Sequence, residues 1–488
     1  MPIRRDEIKK CISMGMMMFF ILFNYDILRS LKDSLIVANI GPEAVTFIKM
    51  YIITPAALSF MLLYTYLSER LSFEKIFYYI VAFFLIFFLV FGFVIYPNQN
   101  FFHPDPATIA RLINSKVHLF FFEINLDHFK WFLKLYGKWS FVSYYVIAEL
   151  WGSAMLFMLF WQFANRTTTT EEAKRLYPAY AFIGHIGAAL SGFCVELLAS
   201  AKEENFMYLY MTTASVCTVL ALILFIYNYK TTKKKHFHIT AFNQAGKLRS
   251  KLSLLESLKV IISSKYLGLI IIIVLAYGTS VNLIEGLWRA RMAIVFTDTI
   301  TYTKFMGKII IYIASGAMIG MVISGPILRV FGWLFGALIT PIVMLITGSI
   351  FFAFFLFGNH MEPYFATYGI SIPLVAVVVG AIQGVLTKSF KYSLFDITKE
   401  MAFIPAGEHL RSKGKAAIDI VGQRWAKSIG SLIQSSLFII FPMATYDTIA
   451  PFLIGICIVV ILMWIFSATK LNTAYAHKLE EHKLRHKT

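Results

Sequence analysis

The chain has 488 residues, of which 58% are hydrophobic and 15% charged, and its formal net charge is +18. Soluble domains average about 45–50% apolar and about 25% charged residues, so the composition excludes an ordinary soluble protein and predicts an all-α integral membrane protein. The four cysteines, Cys11, Cys194, Cys217 and Cys457, lie singly without a C-x-x-C pair. This spacing argues against a disulfide framework and a metal site.

Runs of about 20 mostly apolar residues predict membrane-spanning helices. The runs lie near residues 12–33, 49–68, 76–96, 141–162, 178–199, 206–228, 266–287, 305–326, 333–357, 370–390, 417–441 and 449–469. They make about twelve spans, and the runs 178–199 and 417–441 carry many Gly and polar residues. The basic start MPIRRDEIKK has no small-residue cleavage site after its apolar run, so the first span is expected to stay in the protein.

Lysine and arginine crowd the segments between alternate spans and at both ends of the chain. By the positive-inside rule these segments and both termini are cytoplasmic, and the loop 97–140 lies outside with a short amphipathic segment. The net charge is therefore a topology signal rather than a nucleic-acid surface, because the lysines are scattered among short loops.

The longest cytoplasmic connection, residues 229–265, is rich in lysine and separates two sets of six spans. We predict an N-terminal bundle over 1–228, this basic linker, a C-terminal bundle over 266–470 and a cytoplasmic tail over 471–488. Two six-helix bundles are the plan of major-facilitator transporters, in which a central cavity lies between the halves.

Ionisable residues inside spans are rare and by default mark a substrate or ion pathway. The first span ends in NYDILRSLKDSL, where Asp26, Arg29 and Asp33 share one helical face and Lys32 lies beside it. These charges are predicted to line the pathway, with Arg29 and Lys32 offered to an anion and Asp33 as their partner. The alternative is a gate of ion pairs that breaks in each cycle.

Three further charges interrupt apolar runs. Lys49 begins the second span, where a lysine could simply extend to the membrane interface. Glu149 has no basic neighbour in sequence, and a structural ion pair with another helix is the alternative to a pathway role. Glu285 has Asn282 one turn before it and Arg289 one turn after it, the favourable order for a local salt bridge.

The segment KGKAAIDIVGQRWAKSIGSLIQ carries a polar stripe into an apolar span. Its members recur every three or four residues: Lys415, Asp419, Gln423, Lys427, Ser431 and Gln434. In a membrane such a stripe is expected to face protein or a water-filled cavity.

The charged groups in or near spans have a cationic excess, which favours an anionic substrate such as a phosphate compound. The cations are Arg29, Lys32, Lys49, Lys388, Lys391 and Lys427, and the anions are Asp26, Asp33, Glu149, Glu285 and Asp419. Nucleotide-hydrolase, zinc-peptidase and serine-hydrolase motifs (G-x-x-x-x-G-K-[ST], H-E-x-x-H and G-x-S-x-G) are absent. We therefore predict neither an enzyme nor a bound cofactor or metal, and keep a membrane-embedded transferase as the less favoured alternative.

The chain resembles the nucleotide transporter family, the ATP/ADP translocases of obligate intracellular bacteria and plastids. The segments FNYDILRSLKDSLIV, AELWGSAM, VNLIEGLWRARM, KYSLFDITKEMAFIP and the polar stripe carry the resemblance, in order, across roughly residues 8–470. It implies twelve helices and exchange of ATP for ADP, or import of another nucleoside triphosphate.

The resemblance assigns transport roles to four charged positions, Lys49, Glu149, Glu285 and Lys427. Lys49 and Lys427 are expected to bind phosphates and the two glutamates to compensate them between substrates. The other candidate substrate-binding residues are Arg29, Lys32, Asp33, Asn282, Lys391, Asp419, Gln423 and His185.

Two departures from the family pattern leave the nucleotide base open. His185 stands where the family often has Asn. Ala426 and Ile429 replace glycines around Lys427 and change how closely backbones or ligand can approach. The resemblance implies a multi-pass monomer in a bacterial inner membrane, in contact with lipid, nucleotide and phosphate. A major-facilitator carrier of another organic anion remains the alternative.

Overall fold

A computed structural model of the chain describes residues 3–119, 122–234, 264–404, 418 and 422–485. Within these residues nearly all regular structure is helical. The helices, α1 to α14, are Arg5–Asn39, Ala44–Arg70, Phe73–Ile95, Gln99–Phe102, Pro106–Ile113, Lys130–Gly137, Trp139–Thr167, Thr170–Leu198, Glu203–Lys234, Lys265–Val295, Thr299–Ala366, Ile372–Ala402, Gln423–Ile440 and Tyr446–Arg485. Most of the predicted linker 229–265 lies outside the described residues.

Ten of the described helices are long and apolar enough to cross a membrane. One apolar stretch, Thr299–Gly358 in α11, has 60 residues, which at 1.5 Å per residue is about three times the roughly 30 Å of a bilayer core. Gly332 interrupts this helix with φ 78° and ψ −179°, a left-handed backbone that glycine adopts without a side-chain clash. The predicted spans 305–326 and 333–357 lie on either side of this break.

The remaining predicted spans overlap described helices. The predicted span 417–441 differs in length, because the apolar helix that the structure describes there, Ser428–Ile440, is too short to cross a membrane. The count of about twelve thus combines nine single spans, the interrupted α11 and this shorter helix. The prediction of a helical, multi-pass membrane protein is confirmed.

The connection between α3 and α7 contains the one feature that the all-α prediction omits. Strand β1 (Lys116–Leu119) pairs antiparallel with β2 (Phe122–Asn125), with Lys116 opposite Asn125. The amphipathic segment expected here is α5, in which Ile109 is the buried residue. Short alternating segments such as KVHL and FEIN fit a hairpin better than a helix of this length.

The chain divides into two compact units. Unit 1 comprises Met1–Gln244 and Phe296–Ser315, and unit 2 comprises Ala245–Val295 and Gly316–Thr488. The predicted N-terminal bundle, 1–228, does not include residues 296–315. These residues contact the first unit, for example where Thr303 Oγ1 lies 2.6 Å from Ser34 Oγ.

Helix α1 is the central element of unit 1. It packs against α8, where a Cβ added at Gly187 would lie 2.6 Å from the Phe19 carbonyl oxygen, so the absence of a side chain permits the approach. It also packs against α9 through polar contacts, among them Asn24 Nδ2 to Thr218 Oγ1 at 3.1 Å. In a membrane such interhelical hydrogen bonds and small residues supply the cohesion that apolar burial supplies in water.

Helix α10 has the corresponding place in unit 2, with α12, α13 and α14 around it. A Cβ added at Gly278 would lie 2.4 Å from Ala426 Cβ, so α10 and α13 meet at a glycine–alanine contact. The N-terminal spans of both units, α1 and α10, therefore carry their polar residues into a helical core rather than toward lipid.

Candidate functional site

Unit 1 contains a buried ion cluster at the C-terminal part of α1. Lys32 Nζ lies 3.0 Å from Glu149 Oε1 on α7 and 3.2 Å from Asp33 Oδ1. The Tyr145 ring lies under the same ammonium group, 3.9 Å from its centroid, and its hydroxyl donates to Asp33 Oδ1 at 2.9 Å. Glu149 thus has the basic partner that its sequence neighbourhood lacks.

Exposure differs sharply among the charges of this cluster. The Lys32 side chain is 3% exposed, whereas the Glu149 side chain is 21% exposed. A buried ammonium group without a partner costs several kcal/mol, and here a more accessible carboxylate covers it. The Lys32 charge is therefore shielded from solvent, and Glu149 is its more accessible partner.

Other sequence-predicted residues of unit 1 lie on the same or neighbouring helices. Asp26 and Arg29 are half-buried on α1, within two turns of Lys32, and His185 is half-buried on α8. Lys49 is half-buried in a π-helical stretch, Ile48–Ile53. Thr54, which follows this stretch, donates from its Oγ1 to the Lys49 carbonyl oxygen at 3.0 Å. None of these residues is turned fully toward solvent.

Unit 2 contains a second ion cluster, built on α10 and α12. Glu285 Oε2 accepts from Arg289 Nη2 at 2.8 Å, and Glu285 Oε1 lies 2.8 Å from Lys388 Nζ. Glu285 and Arg289 thus form the local salt bridge that their spacing in the sequence allows. Lys388, present in the sequence only as one cation among six, proves to be the partner from another helix.

A small cleft of about 20 Å³ borders this cluster. Glu285 and Lys388 line it together with Val281, Gln383, Gly384 and Thr387. Gln383 is 3% exposed, and its side-chain amide donates to Thr387 Oγ1 at 3.0 Å. The cleft thus places a lysine beside groups that can form hydrogen bonds.

Asn282 lies one turn from Glu285 but belongs to a packing network. Its side-chain oxygen accepts from Ser431 at 3.2 Å and from Gln434 at 2.9 Å, and Tyr446 donates to Gln434 at 2.8 Å. Ser431 and Gln434 are 0% exposed. The part of the polar stripe that the structure describes therefore faces protein, as expected, and it joins α13 to α10 and α14.

The remaining candidates in unit 2 are described to different extents. Lys391 Nζ lies 2.9 Å from Asp396 Oδ2 and 4.3 Å from the Tyr392 ring centroid. Lys427 and Gln423 lie on α13, but their side chains are outside the described part of the structure, and Asp419 is outside it altogether. The expected effect of Ala426 on helix approach is compensated on the other helix, because Gly278 supplies the missing space.

π-Helical interruptions contain or adjoin several of these charges. They include Ile48–Ile53, which contains Lys49, Gly152–Phe160, which begins three residues after Glu149, and Lys391–Phe395. Another such stretch, Phe91–Ile95, contains no charged residue. Such π-bulges occur often at functional sites, since the extra residue turns side chains out of register. The hydropathy of the sequence does not reveal these π-helical stretches. Only the charged residues in or near them drew attention to these positions.

Tyr145 is the residue that the sequence analysis missed. It lies four residues before Glu149, one helical turn away in an apolar segment rich in aromatic residues. The sequence does place the Tyr145 hydroxyl group one turn from an intramembrane carboxylate, and this spacing could have indicated a contact with the ion cluster. Among the residues that the structure describes, no group of three or more His, Cys, Asp or Glu side chains is placed to hold a metal ion.

Solved transporter structures share this fold. A bacterial homologue of the iron transporter ferroportin in an inward-facing state aligns over 96% of this chain and 99% of its own, with TM-score 0.60 and 12% identity. A proton:xylose symporter of the major facilitator superfamily aligns over 94% of each chain with TM-score 0.50 and 14% identity. At these identities the likeness concerns the fold alone, and it confirms the prediction of a major-facilitator-like architecture.

Sequence comparison is more specific. ADP,ATP carrier protein 3 of Rickettsia bellii (strain RML369-C) is 40% identical over 495 residues, covering 97% of this chain and 96% of the relative. The profile of the TLC ATP/ADP transporter family matches residues 1–475. The chain therefore belongs to the TLC ATP/ADP transporter family.

Proposed function

We propose that the protein carries nucleoside di- and triphosphates across a membrane by alternating access, most simply by exchanging ATP for ADP. The observation that carries the proposal is the 40% identity, over 97% of this chain, to a protein named an ADP,ATP carrier. The ion clusters of the two units supply matching chemistry, since each contains a lysine that a phosphate group can bind.

Lys49 and Lys427 are proposed to bind the nucleotide phosphates. Lys32, Arg29 and Lys391 are proposed as further cations along the pathway. Glu149 and Glu285 compensate cations between substrates, and Asp33 holds Lys32 in place through the contact at 3.2 Å. Asp419, Gln423 and His185 are proposed to contact the substrate, and Asn282 to support α10 where it approaches the substrate.

The carrier moves substrate only if the nucleotide binds the closed intermediate more tightly than either open state. A polyphosphate that replaces the glutamates as the partner of these lysines provides such a difference in affinity. Counter-exchange follows if the empty carrier, in which glutamates alone compensate the lysines, crosses slowly.

We infer from the relatives and the basic loops that the protein lies in a bacterial inner membrane with both termini in the cytoplasm. Reporter fusions at the C-terminal tail and in the loop between α3 and α7 test this orientation. Opposite labelling supports it, and labelling from the same side contradicts it. We propose further that the carrier is a monomer in contact with lipid and that phosphate competes for its substrate site.

Purified protein in proteoliposomes, supplied with labelled ATP, ADP, GTP, UTP and CTP, tests the function. We expect uptake of at least one nucleotide, accelerated by unlabelled nucleotide inside the vesicles. The departures at His185 and Ala426 leave the nucleotide base open, so the second candidate is import of a nucleoside triphosphate other than ATP, and preference for that nucleotide would support it. Failure to take up every nucleotide, with or without internal counter-substrate, would refute both candidates and favour a carrier of another organic anion.

A further inference from the structure

We propose that Lys388 binds a phosphate group of the substrate after it separates from Glu285, which then remains paired with Arg289. This inference rests on the proposed function, because it names one residue that recognises the nucleotide phosphates. It adds a lysine of α12 to the residues that the sequence analysis selected for binding.

The geometry of Glu285 permits this exchange of partners. Its two carboxylate oxygens contact different cations, Oε2 with Arg289 and Oε1 with Lys388, each at 2.8 Å. Loss of the Lys388 contact therefore leaves the Arg289 contact intact. Arg289 is 5% exposed and lies one turn from Glu285 on the same helix, so it is a fixed anchor rather than a mobile partner.

The Lys388 ammonium group lies at an accessible edge of the cluster. Glu285 and Lys388 are 20% and 15% exposed, more than Arg289, and both line the cleft. Gly384 also lines the cleft, and a Cβ added there would meet no atom within 4 Å. Thr387, one residue before Lys388, brings a hydroxyl group to the same wall.

The charge of the cluster selects an anion. Arg289 and Lys388 bring two positive charges to the single carboxylate of Glu285. When a phosphate group replaces Glu285 on Lys388, every charge keeps a partner, and no buried ion is left uncompensated.

The cluster of unit 1 has the opposite balance. Lys32 contacts two carboxylates, Asp33 and Glu149, and Asp26 and Arg29 on the same helix cancel in formal charge. In unit 1 one lysine, Lys32, contacts two carboxylates, so Lys32 stays paired with Asp33 when Glu149 moves away. Unit 2 is therefore the unit in which one carboxylate contacts two cations, and that carboxylate competes with the substrate for Lys388.

Isothermal titration of the purified full chain with inorganic triphosphate, ATP and adenosine tests the inference. Lys388→Gln is expected to weaken binding of triphosphate and ATP about tenfold or more, the effect of losing one charge-assisted hydrogen bond, and to leave adenosine unchanged. Glu285→Gln removes the competitor and is expected to tighten triphosphate binding while it slows exchange in proteoliposomes. The double variant is expected to bind as weakly as Lys388→Gln.

Lys399→Gln is the matched control. Lys399 also lies on α12, is 9% exposed and has a carboxylate partner, Glu400, at 3.5 Å. It is expected to bind triphosphate as the wild-type protein does. If Lys388→Gln does not fold, Lys388→Arg in the Glu285→Gln background replaces it, because that variant keeps a cation and must retain the tighter binding.

The competing explanation is a purely structural ion pair. In that case the Glu285→Gln/Lys388→Gln double variant, which neutralises both partners, would restore wild-type triphosphate binding and overturn the inference. If Lys388→Gln binds ATP as tightly as the wild-type protein does, the inference is overturned but the proposed function is unaffected. Triphosphate binding that depends on Lys388, without exchange of any nucleotide, would support the inference and refute the proposed function.

Discussion

Lys32 and Glu149 form a 3.0 Å ion pair between the first and fourth membrane-spanning helices of unit 1, and the lysine is the more buried partner. Unit 2 pairs its first and fourth spans in the same way, but with the signs reversed, since Glu285 lies on the first and Lys388 on the fourth. Each unit thus joins equivalent spans through opposite charges. An ion pair between such spans holds them together while the substrate is absent.

The Lys32–Glu149 pair predicts different effects on stability and on transport. Lys32→Gln or Glu149→Gln alone leaves a buried or partly buried charge with weaker compensation, and breaking such a pair costs up to about 3–5 kcal/mol. The Lys32→Gln/Glu149→Gln double variant should recover only part of this loss, because the buried Asp33 carboxylate then lacks its contact with Lys32. Thermal unfolding in detergent measures stability, and nucleotide exchange in vesicles measures function.

We expect exchange to be lost in both single variants and in the double variant. Recovery of exchange together with stability in the double variant would assign the pair a structural role only. Lys174→Gln is the control, because Lys174 pairs with Glu171 at 2.8 Å while 61% exposed. Such surface pairs contribute about 0–1 kcal/mol, so neither stability nor exchange should change.

The helices could be predicted from the sequence because every membrane-spanning helix needs a run of about 20 mostly apolar residues. Long apolar runs such as 76–96 and 206–228 coincide closely with described helices. The cross-helix partners of Glu149 and Glu285, which are Lys32 and Lys388, could not be predicted, since each of these ion pairs joins residues from helices far apart in the chain. The sequence placed Lys388 near a span, but only the packing of α12 on α10 brings it to Glu285.

The π-helical stretches were equally unpredictable, because an extra residue in a helical turn leaves the apolar pattern almost unchanged. Ser431 and Gln434 show the opposite case. Their regular spacing in an apolar span required a protein-facing position, and the hydrogen bonds to Asn282 and Tyr446 meet that requirement.

The contact between Gly278 and Ala426 predicts a steric effect. Gly278→Ala places a Cβ 2.4 Å from Ala426 Cβ and 3.0 Å from the Ala426 carbonyl carbon, so α10 and α13 must separate. Overpacking of this kind costs about 1–3 kcal/mol. The melting temperature in detergent should fall, and Ala426→Gly in the same chain should restore part of it.

Gly268→Ala is the control on the same helix, because a Cβ there meets no atom within 4 Å. Its melting temperature should match or slightly exceed that of the wild-type protein, since alanine has the higher helix propensity. Equal destabilisation by the two substitutions would mean that packing against Ala426 does not determine the effect.

His103 predicts a dependence of stability on pH. Burial, with the nearby positive charge of Lys138, lowers the pKa of His103 to about 4, and its Nε2 lies 2.6 Å from Ser140 Oγ. In the unfolded chain the pKa is about 6.5, so the unfolded state binds more protons between these values. Stability should therefore decline as pH falls from about 7 to 4.

The wild-type protein and His103→Gln, unfolded thermally at several pH values, isolate this contribution. The variant lacks the titrating ring, so the difference in melting temperature between the two proteins should change across this pH range. A constant difference would show that His103 titrates alike in the folded and unfolded states.

Lys427 carries the last prediction. Lys427→Ala should abolish nucleotide uptake while the protein remains folded and inserted, because this lysine is proposed to bind phosphate. Lys427→Arg should restore little, since Ala426 next to it is 3% exposed and packs tightly against Gly278, and a guanidinium group is wider than an ammonium group. Lys470→Ala, which removes a lysine near the Phe466 ring on α14, should transport normally. Uptake by Lys427→Ala at the wild-type rate and matched protein level would mean that the lysine serves only packing or interface contact.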